Sequence, residues 1–225
     1  MKLQRSLLPL LGLICLPLAA RAHYLWIESD SPAESRVYFG EVAEGVREKA
    51  GGRLDERDAT QAQLEQEGKA ATPLSLAKKD DHFLISAKDA TGWIVVQDLT
   101  SPVKDWTKSD IGIVKPMFYA RAAVANKPTA AKPTLTLDVI ADPAKPQEVQ
   151  VFFKQQPLPK AKVLVSAPNS WTKELEADDS GKVTIATPWP GRYVVEVIYK
   201  ERVPGEFQGT KYEAIRHRAT LTHSY

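Results

Sequence analysis

The β-branched and aliphatic runs of this chain are short, and prolines or polar turns cut them before any can complete a helix. Sixteen prolines are spread along 225 residues. A proline fixes φ and removes a ladder donor, so it ends helices and is confined to the ends, edges and gaps of strands. Between the prolines, apolar and polar residues alternate with the period of a half-buried strand. The segments 24–28, 35–42, 82–87, 92–99, 115–124, 134–140, 147–153, 162–167, 182–186, 191–199 and 214–222 are the expected strands. The predicted fold is therefore all-β, built as two β-sandwich units. The exception is 47–67, rich in Glu, Arg, Gln and Ala. It reads as a solvated polar insertion with room for one surface helix broken near Gly51-Gly52.

A boundary is expected at 126–133, where Asn-Lys-Pro-Thr-Ala-Ala-Lys-Pro has the composition of a connection. Residues 23–128 then form an amino-terminal β domain carrying the polar insertion, and 134–225 form a carboxy-terminal sandwich. In the second unit Leu135, Leu137 and Val139 alternate, and so do Val149, Val151 and Phe153. Asp178-Asp179-Ser180-Gly181 supplies a tight turn, with glycine where positive φ is needed.

The amino end reads as an export signal. Lys2 and Arg5 precede an almost wholly apolar run from Leu7 to Ala20, and Ala20-Arg21-Ala22 presents small residues for a peptidase. Residues 1–22 are the expected signal peptide, His23 the expected first residue of the mature protein, and the periplasm or the exterior its expected location. The apolar run falls short of the roughly 18 residues that a transmembrane helix needs, and no later segment approaches that length. The processed chain is thus expected not to span a membrane. Cys15, the only cysteine, leaves with the signal, so disulfides and thiolate ligands are excluded from the mature chain. Lys2, Arg5 and Arg21 leave too, which lowers 30 basic residues to 27 against 28 acidic ones. That near-neutral balance gives no electrostatic case for a nucleic-acid partner.

Two resemblances follow from motifs. The stretches Pro157 to Val163, Asp178 to Ile185 and Pro188 to Val197 resemble the strand and turn pattern of immunoglobulin-like or transthyretin-like modules of secreted bacterial proteins, which implies a fold and no chemistry. Over the whole mature length, His23-Tyr-Leu-Trp-Ile-Glu-Ser29, Val37-Tyr-Phe-Gly-Glu41 and Arg216-His-Arg-Ala-Thr-Leu-Thr222 resemble an uncharacterised family of exported bacterial proteins. Some relatives of that family are described as periplasmic components of nickel or cobalt uptake. Arg218 departs from the pattern, standing where that family carries an aromatic residue.

A histidine freed as residue one offers two nitrogens, the α-amine and ring Nδ1, that can close a chelate on one ion. A second imidazole would complete a histidine brace, whose nitrogen donors suit Cu(II) first and Ni(II) second. His23 and His217 are the expected metal ligands, with His82 and His223 in reserve. On an extended strand His217 shares a face with Ile215, Ala219 and Leu221. It therefore points inward, as a ligand or as a hydrogen-bonded core histidine. His223 lies about 20 Å further along at roughly 3.3 Å per residue, too far to share an ion with it. Glu28, Glu41, Glu213, Tyr24, Tyr193 and Tyr212 could add an oxygen donor, but each reads first as an ordinary strand-surface residue and none is assigned a role. His23 in turn reads equally well as an ordinary strand-start residue.

The function expected from these residues is capture or delivery of a transition metal, copper before nickel or cobalt, with a membrane transporter as a candidate partner. An alternative is a copper-dependent oxidative enzyme acting on polysaccharide. A third is an adhesion or scaffold module without metal. No catalytic residues are assigned, because there is no Gly-x-Ser-x-Gly elbow, no His-Glu-x-x-His and no phosphate-cradling glycine loop.

Overall fold

The computed structural model describes residues 23–31, 33–88 and 90–225, and the expected signal peptide lies outside the described residues. The fold is all-β, in three layers. The middle layer is a nine-stranded sheet in the order Thr172–Glu176, Lys162–Ser166, Arg192–Glu201, Ala214–Ser224, Gly112–Ala123, Trp93–Asp98, Gln61–Glu65, Thr72–Leu74, with Lys104–Trp106 also paired to Gly112–Ala123. One outer sheet holds Tyr24–Ser31, Glu34–Glu41, Phe83–Ile85 and Ala77–Lys78, with the short Val46–Arg47 on Glu34–Glu41. The other holds Leu137–Asp142, Lys145–Phe153 and Gln156–Pro157, with Lys182–Thr184 on Lys145–Phe153.

The middle sheet is apolar on both faces, and its strands show why. In Trp93–Asp98, Trp93 and Val95 enter the core against the second outer sheet, with Val139 and Val151. Ile94 and Val96 enter the core against the first, with Ile27, Val37 and Phe39. A continuous apolar run in a strand covered on both faces is the signature of a middle layer. Burying one such side chain contributes roughly 1.5–3 kcal/mol relative to leaving it in water.

The two halves of the sequence meet inside this sheet. Gly112–Ala123 runs parallel to Ala214–Ser224, from Val114 opposite Ala214 to Ala122 opposite Thr222. The core on the second-half side also takes in Trp93, Tyr119 and Ala123 from the first half. The 126–133 connection therefore separates stretches of sequence that contribute strands to one sheet.

Each expected strand overlaps an observed one, but 47–67 differs from expectation. It contains no α-helix, only the short 3-10 turn Arg53–Arg57. Gln61–Glu65 is a strand of the middle sheet, with Ala62 and Leu64 buried. Alternation too brief to stand out among polar residues is enough once a neighbouring strand completes its hydrogen bonds. The 172–176 strand, Thr-Lys-Glu-Leu-Glu, is an edge of the middle sheet. Its charged side chains suit an edge, since they discourage pairing with another chain.

Pro116 marks a break in the antiparallel pairing of Gly112–Ala123. Lys104–Trp106 pairs along Gly112 to Val114, and Trp93–Asp98 begins pairing at Phe118. Pro116 falls in the gap, where no antiparallel neighbour needs its missing N–H. A cleft beside this gap is lined by Pro116, Phe118, Phe39, Trp106 and His23.

Candidate functional site

His23 immediately precedes the strand Tyr24–Ser31, whose partner Glu34–Glu41 places Tyr24 opposite Gly40 and Leu25 opposite Phe39. Side chains alternate along a strand, so His23 falls on the inner side with Leu25 and Ile27. Its ring packs against Phe39 at 5.5 Å between centroids. Glu41 lies two residues beyond Phe39 and hence on the same side.

A tight return brings a second carboxylate to the ring. Gly40 has φ +154°, and a Cβ built there would sit 2.0 Å from the Val46 carbonyl oxygen. Only glycine lets Val46–Arg47 lie so close to residues 40 and 41. The Glu48 amide then donates to the Phe39 carbonyl at 2.8 Å, and its side chain turns onto His23.

The imidazole is held between two carboxylates. Nε2 hydrogen-bonds Glu48 Oε1 at 2.5 Å, and Nδ1 lies 3.2 Å from Glu41 Oε1. That second approach lacks hydrogen-bond geometry, so Glu41 Oε1 is buried with no hydrogen-bond partner. Arg53 Nη1 lies 3.2 and 3.4 Å from the two ring nitrogens and 3.5 Å from Glu48 Oε1.

The structure does not bring His217 to His23. His217 stands on Ala214–Ser224 with its ring in the opposite core, stacked on Tyr119 at 5.9 Å and edge-on to Phe153 at 5.3 Å. Tyr119 Oη lies 3.0 Å from Nδ1, and Nε2 lies 3.2 Å from Glu201 Oε2. This pairing suits a neutral ring that accepts from the phenol and donates to the carboxylate. Burial pushes the His217 pKa down and outweighs the pull of Glu201 in the other direction. The next residue, Arg218, points to the other face, where its Nη1 donates to the His23 carbonyl oxygen at 3.3 Å. His23 thus reaches the expected strand at a one-residue offset, which is the opposite side of the sheet.

The reserve histidines are occupied elsewhere. His82 Nδ1 lies 2.7 Å from Asp81 Oδ1, and its ring packs 5.4 Å from Tyr38. His223 is buried edge-on against Tyr225 at 4.5 Å, with Nδ1 unpartnered and its pKa pushed down by burial. Of the oxygen donors, Glu28 takes Arg47 and Arg192, each at 3.0 Å. Tyr24 Oη accepts from the Val42 amide at 3.0 Å, and Tyr193 Oη donates to the Trp189 carbonyl at 2.9 Å.

No protein-family model matches this chain, and no curated protein matches it at a significant level. Among the described residues, no group of three His, Cys, Asp or Glu side chains is arranged to hold a metal ion by itself. In the sequence Glu41 is one of several carboxylates on expected strands, whereas Glu48 and Arg53 carry no signal. Their place beside His23 follows from the turn at Gly40 and from the 3-10 segment, neither of which leaves a motif.

Proposed function

We propose that this protein is exported and captures or delivers a transition metal at a mature amino terminus beginning with His23. Copper is the first choice and nickel or cobalt the next. The α-amine and Nδ1 of His23 form the chelate, and Glu41 replaces His217 as the third donor. The reading rests on the approach of Nδ1 to the unpartnered Glu41 Oε1 at 3.2 Å. Two donors each about 2.1 Å from one ion, at right angles, are about 3 Å apart. Glu48 keeps Nε2 occupied, in the manner of the carboxylates that fix the outer nitrogen of metal-binding histidines. The amine adds the donor that side chains alone do not supply. A mixed nitrogen and oxygen set suits Cu(II) and Ni(II) over softer ions. A membrane transporter that receives the metal is the corresponding partner.

The test begins with the intact mass of protein recovered from the periplasm, expected to start at His23. Copper titration followed by electron paramagnetic resonance is then expected to show one Cu(II) species with two nitrogen donors and oxygen ligation. Adding one residue ahead of His23 should abolish it, Glu41→Gln should weaken it, and His217→Ala should leave its spectrum unchanged. A processed protein that binds neither copper nor nickel tightly would end the proposal. Metal binding lost in His217→Ala while the fold persists would overturn the ligand assignment.

A further inference from the structure

Two tryptophans face water, and they face it together. Trp171 is 39% exposed and Trp189 37%, the only aromatic side chains among the large exposed hydrophobics of the described residues. Their rings meet at 5.6 Å between centroids with 64° between the planes. They come from different loops. Trp171 ends the loop between Lys162–Ser166 and Thr172–Glu176, and Trp189 lies in the loop between Lys182–Thr184 and Arg192–Glu201.

Both loops are pinned at the tryptophan itself. The Ala167 amide donates to the Trp171 carbonyl at 2.8 Å, and Asn169 Oδ1 accepts from the Trp171 amide at 3.2 Å. This turn holds Ser170 at a left-handed φ of +64°, a conformation that disfavours a residue with a Cβ. Tyr193 Oη accepts from the Trp189 amide at 3.2 Å and donates to the Trp189 carbonyl at 2.9 Å. Gly191, at φ +133°, lets the loops touch, since a Cβ there would sit 2.8 Å from Pro168 Cγ. The backbones that carry the indoles are thus placed in advance, which lowers the ordering cost of binding.

Area and charge narrow the occupant. At the exposures given, the two indoles bare on the order of 200 Å² together. A stable protein partner or a second copy needs about 800 Å² from each side, so the pair suits a small ligand. Of the whole chain 26% is charged, yet 166–172 and 183–191 carry no charged residue. These loops offer a ligand no ionic anchor, only aromatic faces with the exposed amide and hydroxyl of Asn169 and Ser170 beside them.

We infer that Trp171 and Trp189 form a binding platform for a neutral sugar chain, of the class of β-linked glucose or N-acetylglucosamine. Pyranose rings with equatorial hydroxyls have flat C–H faces, whose slight positive charge suits the negative face of an indole. One sugar ring lies on one indole while the other, inclined to it, borders the ring. Hydroxyls at the sugar's edge meet Asn169 and Ser170. None of these residues belongs to the His23 site, so this assignment stands whether or not His23 binds metal.

Titration with cellohexaose and with chitohexaose, read by calorimetry and by tryptophan fluorescence, tests the platform. At least one should bind and change the fluorescence, and response to one alone identifies the sugar. Trp171→Ala and Trp189→Ala should each weaken binding about tenfold or more, because each removes an apolar face that the sugar covers. Trp171→Phe and Trp189→Phe keep a smaller aromatic face and should fall between, which keeps the test open if an alanine variant does not fold. Binding of neither sugar by the wild type, or equal binding by the wild type and the folded alanine or phenylalanine variants, would overturn the proposal. Sedimentation of the wild type alone supplies the other arm: self-association that the tryptophan variants abolish, without sugar binding, would make a second copy the occupant and overturn it too.

Discussion

Arg121 and Asp138 close on each other as a two-pronged ion pair, with Nε donating to Oδ1 at 2.9 Å and Nη2 to Oδ2 at 2.8 Å. The two residues flank the 126–133 connection, and neither is more than 1% exposed. Asp138 also accepts the amides of Thr134, Leu135 and Val139. Arg121 extends the network to Glu65 at 2.9 Å. The pair therefore fastens the chain's passage from the middle sheet to the second outer sheet.

Removing one partner of a buried pair leaves the other charge unmatched, so Asp138→Ala is expected to lower stability by about 3–5 kcal/mol. The double variant Arg121→Met with Asp138→Leu should lose much less, since no charge is then stranded. Urea unfolding of the three proteins checks this. A single-variant loss below about 1 kcal/mol would show that the pair does not fasten the halves.

Acid should weaken the fold through His217 and His223. Burial pushes both pKa values below the ordinary imidazole range, against Glu201 in the case of His217. The unfolded chain then binds more protons than the folded one as pH falls through about 6.5, so unfolding becomes easier. Above that range both states are neutral at these positions and the contribution is fully present. Melting temperatures between pH 8 and pH 5 should fall, and His223→Phe should flatten the decline by removing one of the two groups. An unchanged slope in that variant would rule out His223 as a contributor.

The glycines of the first outer sheet should differ sharply in their tolerance of alanine. Gly40→Ala would drive a Cβ into the Val46 carbonyl, whereas Gly45, at φ +64°, has nothing within 4 Å of the added atom. Gly45→Ala should cost only the left-handed backbone strain, about 1–2 kcal/mol. Gly40→Ala should cost more and also move Glu48 away from His23, so its copper spectrum should change while that of Gly45→Ala does not. Denaturant unfolding and paramagnetic resonance of the two variants make the comparison. Equal losses of stability would contradict the steric account.

What this chain's residues determine by themselves is local. Period-2 alternation at residues such as Val149 and Val151 marks strands, because alternate side chains of a strand face opposite sides whatever the rest of the protein does. The inward direction of His217 was legible for the same reason, from its parity with Ala219 and Leu221. Parity says which residues share a face, but not which layer covers it. Only the tertiary structure decided that the face of His217 looks onto Tyr119 and Phe153, while Arg218, one residue on, looks onto His23. The carboxylates around His23 were hidden likewise, because Glu48 arrives through a turn that one glycine permits and Arg53 through a segment without periodicity. Arg216 reads in the sequence as one more polar strand residue. Its place opposite Pro116 emerges only from the register of two strands about a hundred residues apart, which packing settles.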